Sequence, residues 1–297
     1  MFGLLNINKP VGPTSFRVVA QVRKMVGGRK TKVGHAGTLD PFADGVLIVC
    51  IGAATRLADY VQKQTKCYRT GITLGATSDT HDIEGDIIRN PDAAEVDVNE
   101  VKKVLEMFIG RIDQIPPAHS AVHVDGKRAY DLARAGHKLD LPAREVNIYD
   151  IDLIEYSYPN LTIDVTCGAG TYIRSLARDI GEKLRVGAYC SSLRRTAIGK
   201  FDFAGAVDLD NIDPAASLID PIEALDMLTK IPVDPEAQNH LAMGKTIVPP
   251  VIPQNPTSEI AVTDQEGRLL AMAELIDAPD GQLLKPKKVF IQPQRQQ

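Results

Sequence analysis

Residues 34–47 read GHAGTLDPFADGVL, a segment in which small and apolar residues surround Asp40. The glycines allow the backbone to approach a ligand closely, and His35 stands five residues before Asp40 on what reads as an exposed loop. An isolated carboxylate on such a loop is a candidate nucleophile. Asp followed by Pro is also a common helix start, with Asp as the N-cap and Pro at the first helical position. That alternative gives Asp40 a purely structural role.

The composition is that of an ordinary folded protein. The chain has 297 residues, 44% apolar and 24% charged, which predicts a sizeable core and two domains. The longest apolar run, residues 46–51, is far shorter than the roughly 20 residues of a membrane helix. The N-terminus lacks the pattern of a signal peptide, so we expect a cytoplasmic protein. Four cysteines without a C-x-x-C pair indicate reduced thiols.

Charge is distributed unevenly although the net charge is only -4. Residues 1–39 hold seven basic side chains and no acidic one, and residues 168–200 hold seven more against two acids. Residues 204–238 hold eight acids and a single lysine. Two basic segments that meet in the fold would form a surface for phosphates. The alternative is clustered surface charge without a ligand.

Hydrophobic periodicity predicts alternating strands and helices. Ser15 is expected to cap a helix that ends at Gly27, and a turn at residues 168–171 is expected to open a second helix with Arg174 on the flank of its apolar stripe. Strands are predicted at residues 4–10, 46–51, 65–74, 146–154 and 161–167, with a helix near 98–109.

The same patterns suggest the domain organisation. We predict a first domain over residues 1–230 and a second, built of short β segments, over residues 231–297. Within the first, residues 116–145 form a basic, polar excursion that begins with two prolines and could close over a ligand.

Three further segments accompany the Asp40 loop. They are residues 66–69 (KCYR), residues 167–179 (CGAGTYIRSLARD) and residues 193–196 (LRRT). Singly, each has an ordinary explanation: Tyr68 as a strand aromatic, Tyr172 at a helix entry, and Leu193 in the core.

In this order, the four segments closely resemble the bacterial tRNA pseudouridine-55 synthases, the TruB type. The resemblance spans nearly the whole chain, including the Asn8-Lys9-Pro10 start and the two prolines at residues 116 and 117. It implies an α+β fold, in which a catalytic domain with a mixed, largely antiparallel sheet precedes a small PUA-like β domain. One departure is His119, where many relatives have Tyr.

The resemblance also implies the chemistry. A specific uridine in the T loop of tRNA, at position 55, is isomerised to pseudouridine, with no redox cofactor and no metal required. Asp40 is then the nucleophile, Arg174 keeps it ionised, and Tyr68 stacks on the uracil. Tyr172 and Leu193 would line the pocket.

Binding roles follow from the same resemblance. The uridine must be everted from the tRNA elbow, and His35 would fill the space it leaves. Lys9 and Lys66 would hold phosphates together with the basic clusters. The expected partner is tRNA, bound by a monomer that needs no protein partner.

Three alternatives remain at this point. The first is an RNA-guided pseudouridine synthase within a ribonucleoprotein, although this chain lacks the extended Lys-rich tails of such proteins. The second is a catalytically silent RNA-binding or RNA-folding protein that uses the same surface. The third is an aspartate-nucleophile phosphatase or glycosidase, for which Asp44 would be the second acid.

Overall fold

The computed structural model describes residues 1–118, 123–124, 127–128, 141–279 and 281–292. His119 and most of the predicted excursion at 116–145 lie outside the described residues. The helices are α1 (Ser15–Met25), α2 (Ala58–Gln62), α3 (Val98–Glu106), α4 (Ile173–Lys183) and α5 (Pro235–Ala242), with 3₁₀ turns at Gly28–Lys30, Gly52–Leu57 and Pro221–Leu225. The strands are β1 (Gly3–Lys9), β2 (Val33–His35), β3 (Asp44–Ile51), β4 (Lys66–Leu74), β5 (Ala76–Ser78), β6 (Ile87–Arg89), β7 (Gly110–Gln114), β8 (His123–Val124), β9 (Lys127–Arg128), β10 (Arg144–Ser157), β11 (Asn160–Cys167), β12 (Ala188–Ile198), β13 (Phe201–Asp202), β14 (Val207–Asp208), β15 (Thr229–Pro232), β16 (Ile260–Thr263), β17 (Leu269–Ala278) and β18 (Gly281–Val289).

A large mixed sheet organises the first part of the chain. Within the described residues its strand order is β14-β1-β3-β12-β4-β11-β10-β7, with β2 added beside β3 and β13 beside β12. The pairs β1–β14 and β3–β12 are parallel, and the remaining pairs are antiparallel. The predicted mixed, largely antiparallel sheet is therefore confirmed.

Strand β3 is apolar along its length because both of its faces are covered. Leu47, Val49 and Ile51 pack into the core beneath α1 and α4, whereas Val46 and Ile48 face a second cluster beside α2. Strand β4 alternates instead, since only the face bearing Tyr68 and Ile72 is buried. The two sequence patterns thus report how many faces each strand buries.

One predicted helix cap is wrong, and the alternative of a helix start at Asp40 is excluded. Thr14, not Ser15, is the N-cap of α1, because its hydroxyl accepts the N–H of Arg17. Asp40 starts no helix: it lies in the turn that joins β2 to β3, where its carbonyl accepts the N–H of Ala43. The carboxylate of Asp40 is thereby left available for other partners.

The C-terminal part forms a separate four-stranded sheet in the order β15-β16-β17-β18. Its core is lined by Ile231, Leu241 and Val262, among others, and a smaller cluster that includes Leu57 and Met272 joins it to the first part. Strands β16 and β17 pair as an antiparallel hairpin. The α+β fold class with a C-terminal β domain is confirmed as well, with β15 starting at Thr229.

The cysteines Cys50, Cys67, Cys167 and Cys190 are free thiols. Among the described residues, no helix is both long enough and apolar enough to span a membrane.

Candidate active site

The loop that carries Asp40 is anchored by the first turn of α1. The hydroxyl of Ser15 accepts the N–H of Leu39 and donates to its carbonyl, both at 2.9 Å. The N–H of Gly12 donates to the carbonyl of Pro41 at 2.8 Å. These bonds hold both sides of Asp40, so its carboxylate starts from a defined backbone position.

Arg195 supports the same loop from beneath. Its side chain, 1% exposed, donates from Nε to the carbonyl of Val46 at 2.8 Å and from Nη2 to that of Gly37 at 3.1 Å. The backbone of Arg195 also lies against Gly45, where a Cβ would fall 2.3 Å from its carbonyl oxygen. Gly45 also has a φ of +100°, so both the backbone conformation and the lack of space exclude a side chain at this position.

Arg174 brings Asp40 together with a second carboxylate. Its Nε lies 2.9 Å from Oδ2 of Asp40, and its Nη2 lies 3.3 Å from Oδ1. On the other side, Nη1 donates to Oδ2 of Asp82 at 3.0 Å and to the carbonyl of Thr80 at 3.2 Å. The guanidinium is thus fixed in its plane by three residues.

Asp82 is buried and has its own support. Its Oδ1 accepts the hydroxyl of Thr80 at 2.6 Å and the N–H of Glu84 at 2.9 Å. The side chain of Arg174 is likewise buried, so it lies against Asp40 and Asp82 and not at the protein surface. The acids on both sides explain how a buried guanidinium is tolerated.

The side chain of Asp40 is 32% exposed and can be reached from solvent, in contrast to those of Arg174 and Asp82. Burial raises the pKa of Asp40 above its usual value, and Asp82 adds to this rise. Arg174 and Lys9 oppose it by stabilising the carboxylate. The ionised form therefore depends on these cations.

Tyr68 and Leu193 lie on neighbouring strands beside this network. Both are buried, and the register of β4 with β12 pairs Tyr68 with Arg195. Burial raises the pKa of Tyr68, which Arg195 partly offsets through charge and a hydrogen bond. Tyr68 is therefore a neutral phenol near neutral pH.

Tyr172 is the N-cap residue of α4, two residues before Arg174. Its N–H donates to Oε1 of Gln114 at 2.7 Å, and the hydroxyl of Ser175 donates to the carbonyl of Ile115 at 2.8 Å. The start of α4 is thus tied to the end of β7, next to the prolines at 116 and 117. Tyr172 itself is partly exposed.

His35 ends β2 and is not on an exposed loop, contrary to the sequence interpretation. It is half-buried, and its Nδ1 is buried without a hydrogen-bond partner among the described residues. Burial lowers its pKa, and Arg195 lowers it further. The imidazole is therefore neutral at physiological pH.

Lys9 and Lys66 are not placed to hold phosphates. The Nζ of Lys9 donates to the carbonyls of Ala43 at 2.6 Å and Pro10 at 2.8 Å, and burial lowers its pKa to about 8. The Nζ of Lys66 donates to the carbonyls of Gln62 and Gln64, and burial likewise lowers its pKa to about 8. This part of the phosphate prediction is wrong, because both ammonium groups are enclosed by backbone carbonyls. Lys9 instead supports the loop and the charge of Asp40.

The second basic segment, residues 168–200, has fewer unpaired cations for phosphate binding than its composition suggests. Most of its cations already have partners: Arg174 with Asp40 and Asp82, Arg178 with Asp179, Arg194 with Asp44, Lys200 with Glu223 and Asp226, and Arg195 with backbone carbonyls. Within the described residues, Lys183 and Arg185 are the cations of this segment that are exposed and have no carboxylate partner.

The first basic segment retains free charge. Lys30 and Lys32 of this segment, together with Arg56 of the 3₁₀ turn at Gly52–Leu57, line a cavity of about 440 Å³ beside β2, and none of the three has a carboxylate partner among the described residues. Arg56 additionally donates to the carbonyl of Val289 at 2.9 Å and stacks on Phe290 in the C-terminal sheet. A second cavity, of about 530 Å³, lies away from Asp40, between the segment around Ile219 and that sheet.

Sequence reasoning missed Asp82 and the support by Arg195. Asp82 lies in the acidic segment 79–86 (DTHDIEGD). The sequence feature that could have indicated it is a carboxylate in a turn with Thr and Gly that follows a strand.

Asp44 is unsuited to the phosphatase or glycosidase alternative, because Arg194 holds it with Nη2 at 2.6 Å and Nε at 3.0 Å.

Comparisons with known proteins match this architecture. Residues 23–173 match the N-terminal domain of the TruB family pseudouridylate synthases, and residues 174–230 match the tRNA pseudouridylate synthase B C-terminal domain. The chain is 40% identical to the tRNA pseudouridine synthase B of Syntrophomonas wolfei, covering 98% of this chain and 99% of the relative. It is 42% identical to that of Microcystis aeruginosa, covering 98% and 100%.

Solved structures show the same likeness. An H/ACA RNP bound to a substrate RNA containing 2'-deoxyuridine includes a chain that matches with a TM-score of 0.73 and 25% identity, covering 99% of this chain and 86% of the other. A chain of a Cbf5-Nop10-Gar1 complex matches with a TM-score of 0.73 and 27% identity, covering 98% and 85%.

Proposed function

The chain belongs to the TruB family of pseudouridylate synthases and is an isomerase, and from this premise we propose that it converts the uridine at position 55, in the T loop of tRNA, to pseudouridine. The observation that carries the proposal is the Asp40–Arg174–Asp82 network, in which one reachable carboxylate is held by a buried guanidinium.

Asp40 acts as the nucleophile in this proposal. The reaction breaks the bond between N1 of uracil and C1' of ribose and forms a bond from C5 to C1'. N1 gains a proton and C5 loses one, so atoms balance without a redox step. An ionised carboxylate can attack or stabilise an electrophilic carbon, and Arg174 supplies the charge that keeps Asp40 ionised. Attack at ribose, attack at the base, and capture after an elimination all use this same carboxylate.

The surrounding side chains bind the everted base. Tyr68 stacks on the uracil, and Tyr172 and Leu193 complete the pocket. His35 fills the space that the base leaves in the RNA, for which a neutral, half-buried imidazole is suitable. Eversion costs a few kcal/mol of unstacking, which these contacts offset.

Lys30, Lys32 and Arg56 bind phosphates of the tRNA. Three cations without carboxylate partners around one cavity favour a polyanion. The cavity lies beside β2, which ends at His35, so a strand of RNA that reaches the active site passes close to it. Recognition then depends on RNA shape and on the backbone more than on base sequence.

We further propose that the chain acts as a monomer without a protein partner, with residues 1–230 as the catalytic domain and residues 231–297 as a PUA-like RNA-binding domain. Residues 116–145 are proposed to close on the RNA.

The test is tritium release from an unmodified tRNA transcript labelled at C5 of uracil. The wild type should release one tritium per tRNA, and mapping should locate pseudouridine at position 55. Asp40→Asn should abolish release while keeping tRNA affinity within a few-fold, because the amide preserves shape and removes the charge. Asp44→Asn is the matched control and should retain turnover. Appreciable turnover by Asp40→Asn would remove this carboxylate from the mechanism, and binding without turnover by the wild type would leave an RNA-binding role only.

A further inference from the structure

Two apolar side chains project into solvent at the start of α1. Phe16 is 69% exposed, and Val11, on the loop before the helix, is 62% exposed. The ring of Phe16 has no aromatic or cationic partner among the described residues. Single exposed apolar residues are normal on protein surfaces, so the position of this pair decides its meaning.

Both residues adjoin the loop that carries Asp40. The N–H of Gly12, next to Val11, donates to the carbonyl of Pro41. Ser15, next to Phe16, makes its two hydrogen bonds to Leu39. The apolar pair therefore lies next to the loop that carries Asp40.

Helix geometry places Phe16 on the side of α1 that faces His35. Phe16 and Arg23 are seven residues apart and so lie on one face, about 10 Å apart along the axis. Arg23 donates to the carbonyl of Val33 at 2.9 Å, and Ser15 contacts Leu39, so the chain from 33 to 39 runs antiparallel to α1. Two residues of strand beyond Val33 advance about 7 Å, which brings His35 alongside the first turn of α1.

We propose that Phe16, with Val11, is a stacking platform for the nucleobase that neighbours the everted uridine. Eversion leaves the flanking bases without their stacking partner, and proteins hold such bases on aromatic rings. Arg17 follows Phe16 and is exposed with no carboxylate partner among the described residues, so a cation that can bind a backbone phosphate lies beside the ring. This inference rests on the proposed function and deepens it, since it specifies how the same site holds RNA next to the target.

The experiment compares Phe16→Ala with Phe16→Tyr, and with Met25→Ala as the control. Met25 is an exposed apolar residue of the same helix, 43% exposed, and it lies roughly 180° around the axis from Phe16. KM and kcat are measured by tritium release. In parallel, 2-aminopurine is placed on either side of the target uridine in the tRNA, and its fluorescence is followed during binding.

Phe16→Ala should raise KM for tRNA roughly five- to fifty-fold, because base–aromatic stacking is lost, with kcat within about two-fold of the wild type. Phe16→Tyr should restore KM, and Met25→Ala should leave it unchanged. The 2-aminopurine on one side of the target should be quenched by the wild type and by Phe16→Tyr, but not by Phe16→Ala. A merely structural role of Phe16 would not produce this side-specific quenching.

Unchanged KM and quenching in Phe16→Ala would overturn the stacking platform. Self-association of the wild type at micromolar concentration that Phe16→Ala abolishes would also overturn it and identify the patch as an interface between copies. Failure of the wild type to release tritium refutes the proposed function itself, whereas an active wild type with an unaltered Phe16→Ala refutes only this inference.

Discussion

Asp82→Asn is the substitution that tests most sharply how the network around Arg174 works. Asp82 accepts three hydrogen bonds, from Nη1 of Arg174, the hydroxyl of Thr80 and the N–H of Glu84. An asparagine can keep the two local bonds through its carbonyl oxygen, but its amide then faces Nη1 of Arg174 with a donor. The variant therefore removes one buried charge pair and its hydrogen bond while keeping the shape of the side chain and its two local bonds.

The size of the effect follows from burial. Removing one partner of a buried ion pair costs about 3–5 kcal/mol, and the lower end applies here because Asp40 still faces the guanidinium with two contacts. We expect Asp82→Asn to lose about 3 kcal/mol of unfolding free energy. Arg174 also loses an anchor, and a displacement of about 1 Å in a catalytic group costs roughly 100-fold in rate.

The assay combines urea unfolding with tritium release at pH 7.5, and Asp164→Asn is the matched control. Asp164 holds Arg69 through two contacts of 2.7 Å, but on an exposed surface. Its loss should cost less than about 1 kcal/mol and leave turnover intact. Equal stability losses in the two variants, together with normal turnover in Asp82→Asn, would refute the idea that Asp82 positions Arg174.

Three further outcomes are expected. Arg174→Gln should raise the pKa of Asp40 further, since a cation that favours the carboxylate is lost; a ¹³C NMR titration of that carboxyl checks this, and an unchanged or lower pKa contradicts it. Burial lowers the pKa of His81 to about 4, so between about pH 6.5 and about pH 4 the unfolded state binds a proton that the folded state does not, and the free energy of unfolding should fall as the pH drops through that range. His81→Gln should flatten this part of a plot of urea midpoint against pH. A profile identical to that of the wild type would exclude His81 as the cause. Lys30→Gln combined with Lys32→Gln should weaken tRNA binding and reduce the slope of log Kd against log salt concentration by about 1 to 2. The control is Lys102→Gln combined with Lys103→Gln, which removes two positive charges from α3. Equal slopes for the two double variants would show that the cavity beside β2 binds no phosphate.

Local sequence patterns were sufficient where a single element decides the outcome. The uninterrupted apolar run of β3 and the alternation of β4 indicated strands, because side chains alternate between two faces and each covered face demands apolar residues. The stripe that begins at Ile173 indicated α4 for the corresponding helical reason. The role of the Asp40 loop and its pairing with Arg174 were predicted from motifs in a fixed order, because resemblance to a family assigns such residues without any knowledge of interatomic distances.

Only the tertiary structure determined which charged side chains are paired with another group and which are not. Asp82 meets Arg174 across 92 residues of chain, Arg195 reaches Gly37 across 158, and Lys9 is enclosed by carbonyls that include one 34 residues away. Periodicity reports only the face on which a side chain lies, whereas ion pairing and desolvation depend on what the fold brings opposite that face. For that reason the sequence singled out Asp40 and Arg174, while the second carboxylate, the buried lysines and the ion pairs of the second basic segment became visible only once the strands were paired.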